Sequence, residues 1–215
     1  MATIGATLGY QLRAFSSSPG SSTAASLIDV IRSENRVAPD EANGAIPGRT
    51  TVFDDEIPGV ANLDPALLAT LRQAARDAAD DGVQFFVNSG WRSAAYQEQL
   101  LREAVSKYGS EREAARWVAT ADTSPHVSGD AVDIGRSDAT AWLAEHGADY
   151  GLCQIYSNEP WHYELRPEAI DRGDRGQAPA PQLGAPGHRS RGPARSDNGC
   201  PPMYADATQD PRMQQ

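Results

Sequence analysis

SPHVSGDAVD, at residues 124–133, and EPWH, at residues 159–162, are the two stretches that most constrain the structure of this chain. Together they hold three side chains able to bind zinc through two nitrogens and one oxygen, with one carboxylate left over. A catalytic zinc centre needs three protein ligands of this kind, an open position for water and a nearby base. The two stretches therefore indicate a catalytic zinc site.

Residues 130–134 alternate between polar and apolar side chains and predict a short strand. Val132 and Ile134 then face the core, and Asp133 faces the opposite side, where it can reach a metal. Gly129 lets the chain turn tightly between this strand and the loop that carries His126.

Residues 161–165 alternate as well and predict a second strand, with His162 on one face and aromatic side chains on the other. Glu159 comes three residues before His162, an offset that would place it on the wrong face of a continuous strand. Pro160 has no amide hydrogen and restricts the preceding residue to an extended or turn conformation. We therefore expect Glu159 in the turn that enters the strand, close to the metal, with metal binding by Glu159 left open.

A third segment, SGWRSAAYQ at residues 89–97, precedes these two stretches. In this order the three segments resemble the motifs of the VanY-type D-alanyl-D-alanine carboxypeptidases, S-G-[YW]-R-S-x-x-x-Q, S-x-H-x-x-G-x-A-x-D and E-x-W-H. These are zinc peptidases that trim the stem peptides of bacterial peptidoglycan. The resemblance covers residues 48–168.

The resemblance implies that His126, Asp133 and His162 bind one Zn²⁺ per chain and that Glu159 is the general base. It further implies that Arg92 stabilises the carbonyl oxygen or holds substrate.

Three more residues are candidates for substrate binding. By the resemblance, Ser124 and Gln97 contact the peptide, although Ser124 could equally cap its loop and Gln97 could be solvated on a helix. Trp161 is either a core aromatic residue or a wall of the substrate site.

The resemblance implies a D,D-carboxypeptidase that removes the terminal D-Ala from stem peptides. A D-Ala-D-Ala dipeptidase and an L-Ala-D-Glu endopeptidase of the same fold are alternatives. A further alternative is a non-catalytic, zinc-stabilised binding domain, because the Hedgehog signalling domain shares this kind of fold and metal site. The presence of Glu159 and Arg92 favours the enzyme.

The central part of the chain, residues 46–170, predicts an α+β domain, a small antiparallel sheet with helices packed on it. Asp64 and Pro65 form a helix start, and the helical spacing that follows ends at Gly82. Further helices are predicted at 93–108, around Trp117 after a capping box that begins at Ser110, and at 138–146. Strands are predicted at 83–87, 151–156 and 161–165. The resembled family has this zinc DD-peptidase or Hedgehog-like fold.

The two ends of the chain differ from this domain in composition. Residues 1–45 are expected to be a flexible segment, and they include a stretch rich in Ala, Ser, Thr and Gly without the basic start of a signal peptide. We interpret this segment as the remnant of an export signal or anchor, followed by a linker. Residues 171–215 are rich in Pro, Gly and Arg, which predicts a largely disordered tail whose end docks through Cys200.

The two cysteines, Cys153 and Cys200, do not have the spacing of a zinc–thiolate site. They are either two unrelated thiols or a disulfide, and an extracytoplasmic enzyme would tend to pair them. We expect the disulfide.

The net charge of −10 argues against a nucleic-acid partner, which requires a basic face. No uninterrupted apolar run is long enough to span a membrane. We expect a monomer that acts outside the cytoplasm, in the cell wall or as a secreted protein, although an export signal is not evident.

Overall fold

The computed structural model describes residues 40–170 and 199–214. Its helices are α1 (Pro58–Ala61), α2 (Pro65–Asp80), α3 (Ala94–Tyr108), α4 (Glu111–Ala114), α5 (Pro125–Ser128) and α6 (Ser137–His146). Its strands are β1 (Phe86–Ser89), β2 (Ala131–Gly135), β3 (Leu152–Gln154) and β4 (His162–Leu165). We predicted a flexible segment at 1–45 and a largely disordered tail at 171–215. Most of these residues, 1–39 and 171–198, lie outside the described residues.

The four strands form one sheet in the order β1-β2-β4-β3, and each neighbouring pair is antiparallel. The predicted α+β class, a small antiparallel sheet with helices, is therefore confirmed. This order places β2 and β4, the strands that contain Asp133 and His162, side by side in the middle of the sheet. None of the helices described is both long and apolar enough to cross a membrane.

Helix α2 forms where the sequence predicts it. The Asp64 carboxylate accepts hydrogen bonds from the amides of Ala66 and Leu67, and Pro65 occupies the first helical position. One face of the helix is buried in a core that includes Val132, Ile134 and Tyr163 of the central strands. The buried face consists of Leu67, Leu68, Leu71, Ala74, Ala75 and Ala78. The main hydrophobic core thus lies on one side of the sheet. The opposite side, here called the polar side, carries Asp133 and His162 together with a smaller buried apolar cluster around Cys153, Ile155 and Tyr156.

Several predicted elements have other bounds in the structure, and the strand predicted at 151–156 is reduced to Leu152–Gln154. Strand β1 begins at Phe86 instead of residue 83, because Phe86 pairs with Gly135, the last residue of β2, so earlier residues have no partner strand there. Helix α4 has only four residues: its capping interaction from Ser110 forms as predicted, but Trp117 lies beyond its end. The Trp117 ring stacks on Tyr108 at the end of α3, with 6.1 Å between ring centroids.

Residues 199–214, here called the C-terminal segment, fold against the domain. The predicted disulfide between Cys153 and Cys200 is confirmed, with 5.6 Å between the two Cα atoms. Tyr204 pairs with Tyr156 in a single parallel β-bridge. Two short 3-10 helices, Ala207–Gln209 and Pro211–Gln214, complete the segment.

Candidate metal centre

His126, Asp133 and His162 come together on the polar side of the sheet. All three are buried, and one candidate ligand atom from each lies within 4.8 Å of the others. Asp133 and His162 are direct partners in the β2–β4 register, so the antiparallel pairing alone brings them together. His126 lies on the one-turn helix α5, where the sequence had predicted a loop.

The position of His126 is set by its backbone surroundings. Gly129 ends α5 with a φ of 85°, and a Cβ at this residue would lie 2.6 Å from the Asn62 carbonyl oxygen. The His126 Nδ1 atom lies 2.8 Å from the carbonyl oxygen of Gly90. Donation from Nδ1 to this carbonyl leaves Nε2 without a proton, 3.4 Å from Asp133 Oδ1.

The Gly90 carbonyl that faces His126 is held in place because Gly90 packs directly against α1. A Cβ at Gly90 would lie 2.0 Å from the carbonyl oxygen of Gly59. The same Gly59 carbonyl accepts a hydrogen bond from the amide of Trp91. The end of β1 is thus fixed by a close backbone crossing that leaves no room for a side chain.

The His162 ring has a carboxylate on each side. Its Nδ1 atom lies 3.2 Å from Asp133 Oδ1, and its Nε2 atom lies 3.3 Å from Glu164 Oε1. Glu164 therefore fixes Nε2 as the donor and directs Nδ1 towards Asp133. A carboxylate that accepts from the second ring nitrogen is the usual support of a metal-binding histidine.

These distances fit a zinc ion. Metal–ligand bonds of about 2.0–2.1 Å in a tetrahedron require ligand atoms about 3.3–3.4 Å apart. The two histidine nitrogens lie 3.4 Å and 3.2 Å from Asp133 Oδ1. Two nitrogens and one oxygen also match the ligand types of catalytic zinc sites.

Burial and neighbouring charges shift the pKa values of His126 and Asp133 in the directions that metal binding requires, whereas at His162 a metal would have to displace a proton. Burial, together with the nearby Arg92, lowers the pKa of His126 and favours the neutral imidazole that a metal requires. Burial alone would raise the pKa of Asp133, but the two histidines hold that pKa well below its usual range. Burial alone would lower the pKa of His162, but hydrogen bonds to Asp133 and Glu164 raise it to about 9.

Glu159 lies in the turn before β4, and its side chain is buried. Its Oε2 atom is 3.9 Å from His162 Nδ1, and it is not one of the three grouped ligands. Burial raises the pKa of Glu159 to about 7, with the Asp133 charge adding to the shift and the charges of His162 and Arg92 opposing it.

Arg92 is held at the site by three hydrogen bonds. Its Nε donates to Ser89 Oγ at 2.8 Å, and its Nη1 donates to Gln97 Oε1 at 3.1 Å. Its Nη2 donates to Asp133 Oδ2 at 3.2 Å. Gln97 is buried and also donates to the carbonyl oxygen of Ala119, so it is a support of Arg92 and not a solvated helix residue.

These groups share one cavity of about 370 Å³. Ser124 lies in its wall, and Ser124 Oγ is buried without a hydrogen-bond partner among the described residues. The sequence left two roles open for Ser124, a loop cap and a contact with the peptide, and the structure shows no cap by its side chain. Trp161 lines the cavity and is 39% exposed, so it is a wall residue and not part of the core. Ala207 and Met213 of the C-terminal segment also line this cavity.

Sequence reasoning gave no role to two residues that border the site. Glu164 could have been found, because alternation along β4 puts it on the same face as His162. Burial alone would raise the pKa of Glu164, but hydrogen bonds from His162 and Arg212 lower it to about 2. Arg212 lies in a segment without a recognisable motif, so no sequence signal could have identified it.

Comparisons with known proteins agree with these motifs. The family model described as VanY, D-alanyl-D-alanine carboxypeptidase, matches residues 61–168. A D-alanyl-D-alanine carboxypeptidase from Enterococcus faecalis (strain ATCC 700802 / V583) is 29% identical over 143 residues, which are 55% of this chain and 53% of that protein. The chain thus spans about half the length of this curated relative.

Two solved structures are also similar. One is a mutant of the vancomycin resistance D,D-pentapeptidase VanY from a VanB-type resistance cassette in complex with Zn(II). It is 28% identical, with 51% of this chain and 76% of that chain covered and a TM-score of 0.47. The other is VanYB in complex with D-alanine-D-alanine. It is 29% identical, with 53% and 78% covered and a TM-score of 0.49.

Proposed function

The chain belongs to the VanY family of D-alanyl-D-alanine carboxypeptidases, and on that premise we propose that it is a zinc-dependent D,D-carboxypeptidase. Its substrates would be peptidoglycan stem peptides, from which it removes the terminal D-Ala. The observation that carries the proposal is the group of three metal ligands beside a buried carboxylate and a guanidinium in one cavity. D-alanine-D-alanine is the ligand named for one of the similar structures.

His126, Asp133 and His162 would hold one Zn²⁺ through Nε2, a carboxylate oxygen and Nδ1. When bound, zinc would act as a Lewis acid that makes water nucleophilic at neutral pH and polarises a carbonyl. The remaining chemistry belongs to the side chains around it.

Glu159 is suited to be the general base. It is buried at the edge of the ligand group, and a carboxylate whose pKa lies near the working pH can both take and return a proton. It would accept a proton as the water oxygen attacks the carbonyl carbon of the penultimate D-Ala. It would then donate that proton to the amine of the terminal D-Ala as the C–N bond breaks.

Arg92 is the cation that lines the cavity beside the three candidate metal ligands. Its side chain lines the cavity, is 15% exposed, and donates hydrogen bonds to Ser89 and Gln97 that fix the guanidinium. A fixed donor of this kind stabilises the negative oxygen that develops during attack, or binds the free carboxylate of the substrate. We propose that Ser124 also contacts the peptide. Its Oγ lies in the cavity wall and makes no hydrogen bond to the described residues, so it is free to bind substrate.

We also propose an extracytoplasmic monomer. Peptidoglycan lies outside the cytoplasm, and the disulfide between Cys153 and Cys200 suits an oxidising compartment.

Mass spectrometry tests the proposed reaction. Zinc-loaded protein is incubated with a stem pentapeptide that ends in D-Ala-D-Ala, and the products are identified. Release of one D-Ala is the expected result. Release of the dipeptide would instead show a dipeptidase, cleavage nearer the L-Ala-D-Glu bond would show an endopeptidase, and an unchanged peptide would favour a binding domain. A pentapeptide with an amidated C-terminus is the control, because a carboxypeptidase needs the free carboxylate.

A further inference from the structure

One side chain of the C-terminal segment, Arg212, is linked to the candidate metal ligand His162 through Glu164. Its Nη1 donates to Glu164 Oε2 at 2.7 Å, and its Nη2 donates to Glu164 Oε1 at 3.1 Å. Glu164 Oε1 is the same atom that faces His162 Nε2, at 3.3 Å. A continuous chain of contacts therefore runs from Arg212 through Glu164 to His162.

We propose that Arg212 is a positioning residue for the metal ligand His162 and acts by orienting the Glu164 carboxylate. The proposal rests on the proposed function, since it concerns the metal that His162 would bind. It makes the C-terminal segment, which lies beyond the matched residues 61–168, a working part of the site.

Glu164 needs a partner of this kind because its side chain is completely buried. A buried carboxylate without counter-charges is costly and either takes up a proton or turns away. Of the two Glu164 oxygens, Arg166 contacts only Oε2, at 2.5 Å, within the part of the chain that the structure describes. Arg212 contacts both oxygens, and this two-point contact fixes the rotation of the carboxylate that accepts from His162.

The position of Arg212 is itself fixed from two sides. Arg212 Nε lies 3.0 Å from both carboxylate oxygens of Asp210, and Tyr156 donates its hydroxyl to Asp210 at 3.0 Å. The disulfide attaches the segment at Cys153, which pairs directly with Glu164 in the β3–β4 register. The covalent anchor and the arginine therefore act on the same part of the sheet.

A carboxylate behind a metal-binding histidine fixes the ring orientation and makes it a better ligand. Loss of such a partner typically weakens metal affinity by about 10-fold to 100-fold. Zinc affinity is therefore the direct readout, and it can be measured without assaying activity.

The test compares the zinc dissociation constants of the full chain and its variants by competition with a chelator, with the disulfide intact. We expect Arg212→Gln to weaken zinc binding by about 10-fold to 100-fold. Arg212→Lys should fall between this variant and the wild type, because an ammonium group is a point charge that does not match both oxygens.

The matched control is Arg116→Gln. Arg116 also forms an ion pair with the segment, at 2.9 Å to Asp206, and within residues 40–170 and 199–214 it makes no hydrogen bond or ion pair with Glu164. Arg116→Gln should loosen the segment and leave zinc affinity unchanged. Equal affinities for the Arg116 and Arg212 variants would overturn the proposal, because both would then act only through docking.

Two further outcomes are also informative. If Arg212→Gln does not fold, the decision rests on Arg212→Lys: weakened zinc binding supports the proposal, and wild-type affinity overturns it. If the wild-type protein itself binds no zinc, the proposed function fails. If the wild type binds zinc and the Arg212 variants bind it equally well, only the role proposed for Arg212 fails.

Discussion

Arg92 Nη2 lies 3.2 Å from Asp133 Oδ2, so the arginine proposed to bind the substrate also contacts the carboxylate of a proposed metal ligand. Arg92→Ala should therefore have two effects. Turnover at saturating zinc should fall by at least about 10²-fold through loss of oxyanion or carboxylate binding. Zinc affinity should fall by about 10-fold to 100-fold through loss of support for Asp133. Kinetics at high zinc and chelator competition measure the two effects separately, and an unchanged zinc affinity would show that the contact with Asp133 is incidental.

Glu159→Gln separates catalysis from metal binding. The substitution keeps the shape of the side chain but removes the base, so turnover should fall by about 10²-fold to 10⁴-fold while one zinc per chain remains. His126→Ala and His162→Ala are the comparison, and both should lose the metal. Metal analysis together with the pentapeptide assay checks this prediction. Zinc loss in Glu159→Gln would identify Glu159 as a ligand instead.

Ser124→Ala tests whether the unpartnered hydroxyl serves the substrate. Removal of a buried hydroxyl that makes no hydrogen bond within the described residues should leave the free energy of unfolding unchanged or higher. If the hydroxyl binds the peptide, kcat/KM should fall by roughly 10-fold. Ser128→Ala, at the exposed end of α5 and outside the cavity lining, is the control for activity and should leave kcat/KM unchanged. Because Ser128 donates hydrogen bonds to the Pro125 carbonyl and to Asp130, its removal should lower the free energy of unfolding slightly, unlike that of Ser124. A fully active Ser124→Ala enzyme would remove this residue from the substrate site.

Acid should weaken the C-terminal segment through Asp210. Burial alone would raise the pKa of Asp210, but Arg212 and Tyr156 lower it. Because the folded pKa lies below the unfolded value of about 3.9, the stabilisation is fully present above that value and is lost as pH falls through the folded pKa. Urea unfolding should show Asp210→Asn less stable than wild type at pH 7, with the difference shrinking towards pH 3. A constant difference across this range would contradict the assignment.

Removal of the disulfide should lower the stability of the whole domain. Cys153 and Cys200 are 47 residues apart, and closure of a loop of this length is worth about 4 kcal/mol in the chain-entropy model. The double variant Cys153→Ala, Cys200→Ala should lose a free energy of unfolding of that order. Urea titration under non-reducing conditions measures the difference, with dithiothreitol-treated wild type as the matched comparison. No loss in either protein would mean that the disulfide contributes little to the free energy of unfolding.

The sequence was sufficient where the interactions are local. The start of α2 depends on Asp64 and Pro65, and alternation along β2 and β4 correctly assigned the faces of Asp133 and His162. The start of β1 was misplaced because Val83 and Phe85 indicate burial, whereas a strand also needs a partner, and β2 ends at Gly135.

The parts of the site that could not be predicted depend on distant contacts. The sequence left open whether Gln97 contacts the peptide or is solvated on its helix, whereas the structure shows it buried and hydrogen-bonded to Arg92 and to the Ala119 carbonyl oxygen. Arg212 is 48 residues from Glu164, and nothing in the sequence pairs them. Composition indicated a disordered tail, and only the three-dimensional arrangement shows that its last described residues contact the polar side of the sheet.

The close crossing of Gly90 and Gly59 has a consequence for how this protein can evolve. A Cβ at Gly90 would lie 2.0 Å from the Gly59 carbonyl oxygen, so any other residue there must displace the backbone whose carbonyl orients His126. A mutational survey would then record Gly90 as intolerant, although it has no side chain and no reactive atom. Laboratory evolution of substrate preference should therefore proceed through Trp161 and the rim of the cavity, while the glycine pair stays invariant among active variants.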